Sequence, residues 1–189
     1  MKAEDFVSFL NNYTKDQKTI LDSLGNLAVP NFQSFQFSKS NITIENCREW
    51  IEELHQSGID NKCSVLYYFE IVGSFDNSQI TETIERMKMT PGRSERALPK
   101  INGSACNNSR ILYVGKTNKN FLNRFKQHLG LGSASTYALH LSHWNVSFDM
   151  EIVLKFAICP IEQEQVHFLE HIESALHYSL KPILGRSGH

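Results

Sequence analysis

Three segments rich in β-branched and aromatic residues constrain the fold of this chain more than any other feature. The strongest is SVLYYFEIV at residues 64–72, a continuous run typical of a β-strand. Two further strands are predicted at RILYVG (110–115) and FDMEIVLKFAI (about 148–158). Helical segments lie between and around them, so the sequence predicts an α/β (α+β) protein whose sheet has three strands.

Helices are predicted where apolar residues recur at helical spacing and where glycine or proline marks an end. Gly25 and Pro30 close the first helix, and Gly58 closes the second. The predicted helices cover residues 4–24, about 44–57, 76–90, 121–129 and about 162–180.

The predicted elements divide the chain into two parts. Residues 1–60 form a helical N-terminal region, and residues 61–189 form a second domain. That domain carries a long basic insertion at about 74–109. Residues 91–109 of the insertion are rich in Pro, Gly, Asn and Ser, which predicts a long loop. Loops of this length in compact domains are often functional.

Positive charge is concentrated in one part of the chain. Residues 86–126 contain ten Lys and Arg but only one acidic residue, Glu95, which gives a net charge of +9. Because the whole chain carries −1, the remaining residues carry −10. Such asymmetry indicates phosphate contacts, although a solvated basic loop balanced by acidic helices would give the same count. The candidate nucleic-acid-binding residues are Arg93, Arg96, Lys100, Arg110 and Lys119.

Nothing in the sequence indicates a membrane or secreted protein. No apolar run approaches the roughly 18 residues that a membrane helix needs. The N-terminal MKAED is too acidic for a signal peptide. The four cysteines are widely spaced without a CxxC pair, which favours reduced thiols. We therefore expect a cytoplasmic protein without a membrane partner.

A series of motifs follows the strand pattern. Two tyrosine-bearing strands precede a helix with Arg and His, then a third strand, then a helix with a Glu ahead of a proline. The residues are Val65-Leu66-Tyr67, Tyr113-Val114-Gly115, Lys116-Thr117, Arg124, His128, Glu173 and Pro182. Their order resembles the GIY-YIG nuclease superfamily over about residues 64–185, with VLY in the GIY position and YVG in the YIG position.

Several features depart from the pattern of that superfamily. The VLY triplet lacks the glycine, and an extra residue lies between Tyr113 and Arg124. Gly185 stands where many members carry Asn. The segment between the two tyrosine strands is much longer than in minimal members, which leaves the substrate range open.

The resemblance implies a metal-dependent nuclease built on a small antiparallel three-stranded sheet flanked by helices. It implies that Glu173 is the single protein carboxylate that binds a divalent ion, Mg²⁺ or Mn²⁺. Water molecules complete the coordination shell of that ion. It also implies that Tyr67 takes the proton of the attacking water and that Tyr113 helps to orient the site. Because a phenol with a pKa near 10 is a weak base at neutral pH, nearby cations must favour loss of its proton. Lys116 and Arg124 are the available cations.

The last predicted helix places Glu173 within an apolar stripe, with Glu170 on its flank. A carboxylate there is costly unless it is paired or holds a metal. The alternatives are an ion pair, for example with Arg124, or a side chain that reaches solvent.

Arg124 and His128 are four residues apart and so project from one side of their helix. Arg124 could donate two parallel hydrogen bonds to a phosphate and stabilise charge in the transition state. His128 could hydrogen-bond a tyrosine hydroxyl or a phosphate, or simply face solvent.

Tyr67 and Tyr68 are adjacent, and strand alternation places them on opposite faces of the sheet. Only one of them can reach the site. The motif position favours Tyr67, but periodicity alone does not decide between them.

The sequence thus predicts a metal-dependent endonuclease that hydrolyses phosphodiester bonds in DNA, with RNA not excluded. The alternative is a catalytically inactive nucleic-acid-binding or protein-interaction module on the same fold. A further alternative gives the main role to residues 1–60, as an oligomerisation or partner-docking unit.

Overall fold

The structure is a computed structural model, and it divides into two compact units, Met1–Asn31 and Phe32–His189. It describes Lys15 and residues 31–89, 96–103, 108–146, 149–159 and 166–186. The helix predicted over residues 4–24 lies outside these residues, apart from Lys15, which is helical.

One antiparallel sheet forms the centre of the second unit. Its strands, in chain order, are β1 (Gln33–Ser38), β2 (Ser64–Val72), β3 (Ile111–Thr117) and β4 (Glu151–Cys159). Their order across the sheet is β1-β4-β2-β3, and each neighbouring pair is antiparallel. The overall α+β class is therefore as the sequence predicts.

The sheet has four strands, and the predicted number of three is wrong. The additional strand, β1, alternates polar residues with Phe35 and Phe37, which lie on one face. Both rings pack against the core: Phe35 lies 6.0 Å from Phe125 and Phe37 lies 5.2 Å from Trp50, between ring centroids. Two apolar positions in a six-residue edge strand give a weak alternation signal, which explains why this strand was not recognised.

Four α-helices accompany the sheet within the described residues: α1 (Ile44–Gln56), α2 (Asn77–Met89), α3 (Phe121–Leu129) and α4 (Val166–Leu180). Thr43 caps α1 by accepting a hydrogen bond from the Asn46 amide. Gly130, at φ 92°, ends α3 in the left-handed conformation. In the described part of the chain no helix combines the length and apolarity needed to cross a bilayer. Strand β1 and helix α1 belong to the second unit, although both fall within residues 1–60.

Strand alternation separates the two faces of the sheet. On one face, Tyr67 and Phe69 of β2 pack with Phe121 and Phe125 of α3. On the other face, Leu66 packs in a separate cluster with Leu169 of α4. Helices α3 and α4 therefore cover opposite faces at the β2–β3 end of the sheet.

Two short segments cover the free edge of β3. The Ile183 and Leu184 amides donate to the carbonyls of Ile111 and Leu112, so the C-terminal segment runs along this strand. Residues 100–102 lie beyond it, because the Asn102 amide donates to the Ile183 carbonyl and the Gly185 amide donates to the Lys100 carbonyl. The insertion predicted as a loop is thus joined to the sheet through the C-terminal segment.

Candidate active site

Tyr67 lies at the centre of the candidate site and is only 1% exposed. Its hydroxyl oxygen is 3.0 Å from His128 Nε2 and 3.3 Å from Arg124 Nε. Strand β2 supplies the tyrosine and one side of α3 supplies both partners, as their four-residue spacing predicts. His128 itself is fully buried, so it does not face solvent.

The ring hydrogen of His128 can be assigned from its second partner. The Leu139 amide donates to His128 Nδ1 over 3.2 Å, so Nδ1 presents a lone pair. Burial lowers the pKa of His128 well below its ordinary value, so the ring is neutral and its hydrogen is on Nε2. His128 and Arg124 therefore both donate to the oxygen of Tyr67.

Tyr68 lies on the opposite face of β2. Its ring packs against Phe32 with 5.4 Å between centroids, away from Arg124 and His128. The structure thus brings Tyr67 and not Tyr68 to the candidate site.

Arg124 connects the two tyrosines. Besides its bond to Tyr67, Nη2 donates to the Tyr113 hydroxyl over 3.4 Å and Nη1 donates to Gln127 Oε1 over 3.2 Å. Burial lowers the pKa of Arg124, but the Tyr67 and Tyr113 oxygens outweigh this effect and raise it. The guanidinium is therefore charged and held in one orientation.

Gly115 is needed because two aromatic rings leave no room for a side chain. A Cβ atom at this position would lie 2.7 Å from the Tyr67 hydroxyl oxygen and 2.7 Å from Cε1 of Tyr113. Residue 115 pairs directly with Tyr67 across the β2–β3 ladder. The glycine of the YVG motif thus lets the two phenol rings meet.

We expect Gly115→Ala to lower the free energy of unfolding by about 1–3 kcal/mol, since an added methyl group overpacks a filled core. Urea denaturation followed by circular dichroism measures this change. Gly103→Ala is the control, because a Cβ there meets no described atom within 4 Å. Equal stability of the two variants would contradict the argument.

Glu173 lies on α4. Its carboxylate makes no hydrogen bond or ion pair with the described residues. Burial raises the pKa of Glu173 to about 7, while the charges of Lys116 and Arg124 oppose this shift. The charge of Glu173 in turn acts on Tyr67. A half-buried carboxylate without a partner fits a divalent cation that takes one protein oxygen and several waters.

Lys116 does not contact the tyrosines. It pairs with Leu66 across the ladder and so lies on the face that α4 covers. Its ammonium forms an ion pair with Glu170 over 2.9 Å. The charge of Lys116 nevertheless lowers the pKa of Glu173, so its role in this structure concerns the carboxylate.

A cleft of about 530 Å³ opens beside Tyr113 and Arg124. Lys100, one of the predicted nucleic-acid-binding residues, lines this cleft together with Lys88 and Arg186. The cleft therefore presents three lysine or arginine side chains around the guanidinium of Arg124.

Three other predicted nucleic-acid-binding residues, Arg96, Arg110 and Lys119, do not line this cleft. Arg96 contacts His140 Nδ1 over 3.5 Å. Arg110 donates to the Gly73 carbonyl over 2.8 Å and lies over the Phe75 ring. Lys119 is exposed just before α3, and Arg93 lies outside the described residues.

Two groups that orient the side chains of the candidate site were not predicted from the sequence. Gln127 orients Arg124, and the backbone amide of Leu139 orients His128. Gln127 is three residues after Arg124 on α3, a spacing that predicts contact. The Leu139 amide has no side-chain signal, because it acts through the main chain.

Comparison with protein families gives a match over part of the chain. The family model described as GIY-YIG catalytic domain matches residues 104–171, which include Tyr113, Lys116, Arg124 and His128. Tyr67 and Glu173 lie outside the matched range. Neither a curated protein nor a solved structure matches the chain. Domains of this family are nucleases, so the match supports hydrolysis of nucleic acid in general. The resemblance read from the motifs is thereby confirmed: residues 104–171 of this chain are similar to the GIY-YIG catalytic domain.

Proposed function

We propose that the protein is a metal-dependent endonuclease that hydrolyses phosphodiester bonds, with DNA as the expected substrate. The observation that supports this most is the hydrogen-bonded cluster of Tyr67, His128, Arg124 and Tyr113 at a cationic cleft. The carboxylate of Glu173, which has no hydrogen-bond or ion-pair partner in the described part of the chain, acts electrostatically on the same cluster.

Arg124 is suited to bind the phosphate that is cut. A guanidinium has five N–H groups, and three of those of Arg124 bond to Tyr67, Tyr113 and Gln127. Two N–H groups remain for phosphate oxygens. Because the three existing bonds fix the guanidinium, it meets the developing negative charge without reorganising.

Tyr67 is assigned the proton of the attacking water. The N–H groups of His128 and Arg124 already donate to its oxygen, and such donation stabilises a phenolate. Burial has the opposite effect and raises the pKa of Tyr67, so the free protein holds a neutral phenol. A neutral phenol cannot take up a proton, so Tyr67 must first release its own hydroxyl proton to solvent. We place that release in the complex, where positive charge is added to the site, and the resulting phenolate then accepts the proton of the attacking water.

Glu173 would hold the divalent ion, Mg²⁺ or Mn²⁺. When bound, such an ion supplies positive charge that polarises the phosphoryl oxygen and stabilises the leaving alkoxide. Tyr113 positions Arg124 through its hydroxyl, and its ring forms part of the cleft wall.

The test is cleavage of supercoiled plasmid and of a single-stranded DNA circle by the purified protein with Mg²⁺ or Mn²⁺. We expect nicked and linear products with either ion and none in EDTA. DNA binding without cleavage in both metals would instead support an inactive module on the same fold. Phosphate contacts carry no sequence information, so we expect plasmids of unrelated sequence to be bound with similar affinity.

A further inference from the structure

Tyr137 is the feature of the cleft that the nuclease chemistry does not use. Its side chain is 71% exposed, although residues 138–141 that follow it are buried. It lines the same cleft as Tyr113 and Arg124. A large exposed aromatic side chain beside a candidate active site is available for contact with a bound ligand.

The backbone directly after Tyr137 is fixed by hydrogen bonds. The Ala138 amide donates to the Ala97 carbonyl, and the Leu139 amide donates to His128 Nδ1. The Leu139 carbonyl accepts the Trp144 indole N–H over 2.6 Å. The ring of Tyr137 is therefore presented from a rigid base that is tied to the candidate active site.

The charge around Tyr137 favours a polyanionic ligand. Lys88, Lys100 and Arg186 line the cleft, and no Asp or Glu is among its described lining residues. The Gly185 amide donates to the Lys100 carbonyl, which places Lys100 beside the segment that carries Arg186. Phosphates can therefore be bound in a cleft that an aromatic ring also lines.

The cleft is large enough to take a nucleobase. Its volume of about 530 Å³ is within the range of pockets that bind one small molecule. In a duplex, however, the bases are already stacked on one another and offer no free face to Tyr137.

We propose that Tyr137 stacks on an unpaired nucleobase next to the bound phosphate, so that the enzyme acts on single-stranded or branched nucleic acid. The proposal rests on the proposed nuclease function and names its substrate class. Aromatic side chains beside cationic grooves bind single strands in this way, without regard to sequence.

Binding in EDTA tests this without any cleavage. The probe is a single-stranded oligonucleotide carrying 2-aminopurine, compared with the same strand in a blunt duplex, each as DNA and as RNA. We expect Tyr137→Ala to weaken single-strand binding about 5- to 150-fold, the effect of losing one stacked base. Tyr137→Phe should bind within about twofold of wild type, because the ring face is kept. Quenching of 2-aminopurine on binding should disappear in Tyr137→Ala.

Tyr178→Ala is the matched control, since Tyr178 is 83% exposed on α4 and does not line the cleft. It should change neither affinity nor quenching. An effect of Tyr137→Ala on single-stranded DNA, RNA or both supports the proposal. Unchanged single-strand binding, an equal loss for duplex, or a loss as large in Tyr137→Phe overturns it. Duplex cleavage with no role for Tyr137 would reject this inference alone, whereas failure to bind any nucleic acid would reject the nuclease as well.

Discussion

Glu173→Gln should reduce the rate of DNA cleavage about 1,000-fold or more while DNA binding in EDTA stays close to that of wild type. Charge stabilisation by a catalytic ion contributes several kcal/mol, and each 1.36 kcal/mol is a tenfold change in rate. The amide of Gln has nearly the shape of the carboxylate but lacks its charge. The pKa of Glu173 is already raised to about 7 by burial, so a neutral side chain should not destabilise the fold.

Glu170→Gln is the matched control for this prediction. Glu170 lies one helical turn before Glu173, and its side chain is 50% exposed in the ion pair with Lys116. Exposed ion pairs contribute about 0–1 kcal/mol, so the control should cleave within a fewfold of wild type. Steady-state cleavage of a labelled oligonucleotide measures both variants. Equal losses in the two variants, or full activity in Glu173→Gln, would remove Glu173 from its proposed role.

The elements predicted most accurately from the sequence are those in which large apolar residues lie close together along the chain. The bounds of β2 and α3 agree with their predicted bounds, residues 64–72 and 121–129. In both, nearly every core position carries a large apolar residue. Strand β1 has few large apolar residues. It is a strand because it pairs with β4, which is far from it in the sequence. Strand pairing between distant segments cannot be predicted from the six residues of one strand.

Contacts within the candidate site were also predictable only where the residues are close in the sequence. Arg124 and His128 share one helix, so their spacing predicted that they project from one side of it, and both contact the Tyr67 hydroxyl. Tyr67 and Tyr68 could not be separated by alternation, because apolar residues fill both faces of β2. The partner of Lys116 was not predictable either, since the ion pair depends on which face of the sheet α4 covers.

Tyr67→Phe should lower the cleavage rate by about 100- to 10,000-fold, the range in which general acid–base groups contribute. The substitution keeps the buried ring and its packing against Phe121. It removes the oxygen to which His128 and Arg124 donate. Two buried N–H groups then lose their acceptor, which costs about 1–3 kcal/mol each. We therefore expect a lower free energy of unfolding together with the loss of activity.

Tyr68→Phe is the matched control. It tests whether the loss of any tyrosine hydroxyl from β2 lowers the cleavage rate. Tyr68 is the next residue of β2, but it lies on the opposite face of the sheet, against Phe32. Its substitution should leave the cleavage rate within about twofold of wild type, because neither Arg124 nor His128 loses a partner. Cleavage of a labelled oligonucleotide and urea denaturation, measured on both variants, give the comparison. If Tyr68→Phe were the inactive variant, or if Tyr67→Phe kept its activity, the hydroxyl held by His128 and Arg124 would have no part in proton transfer.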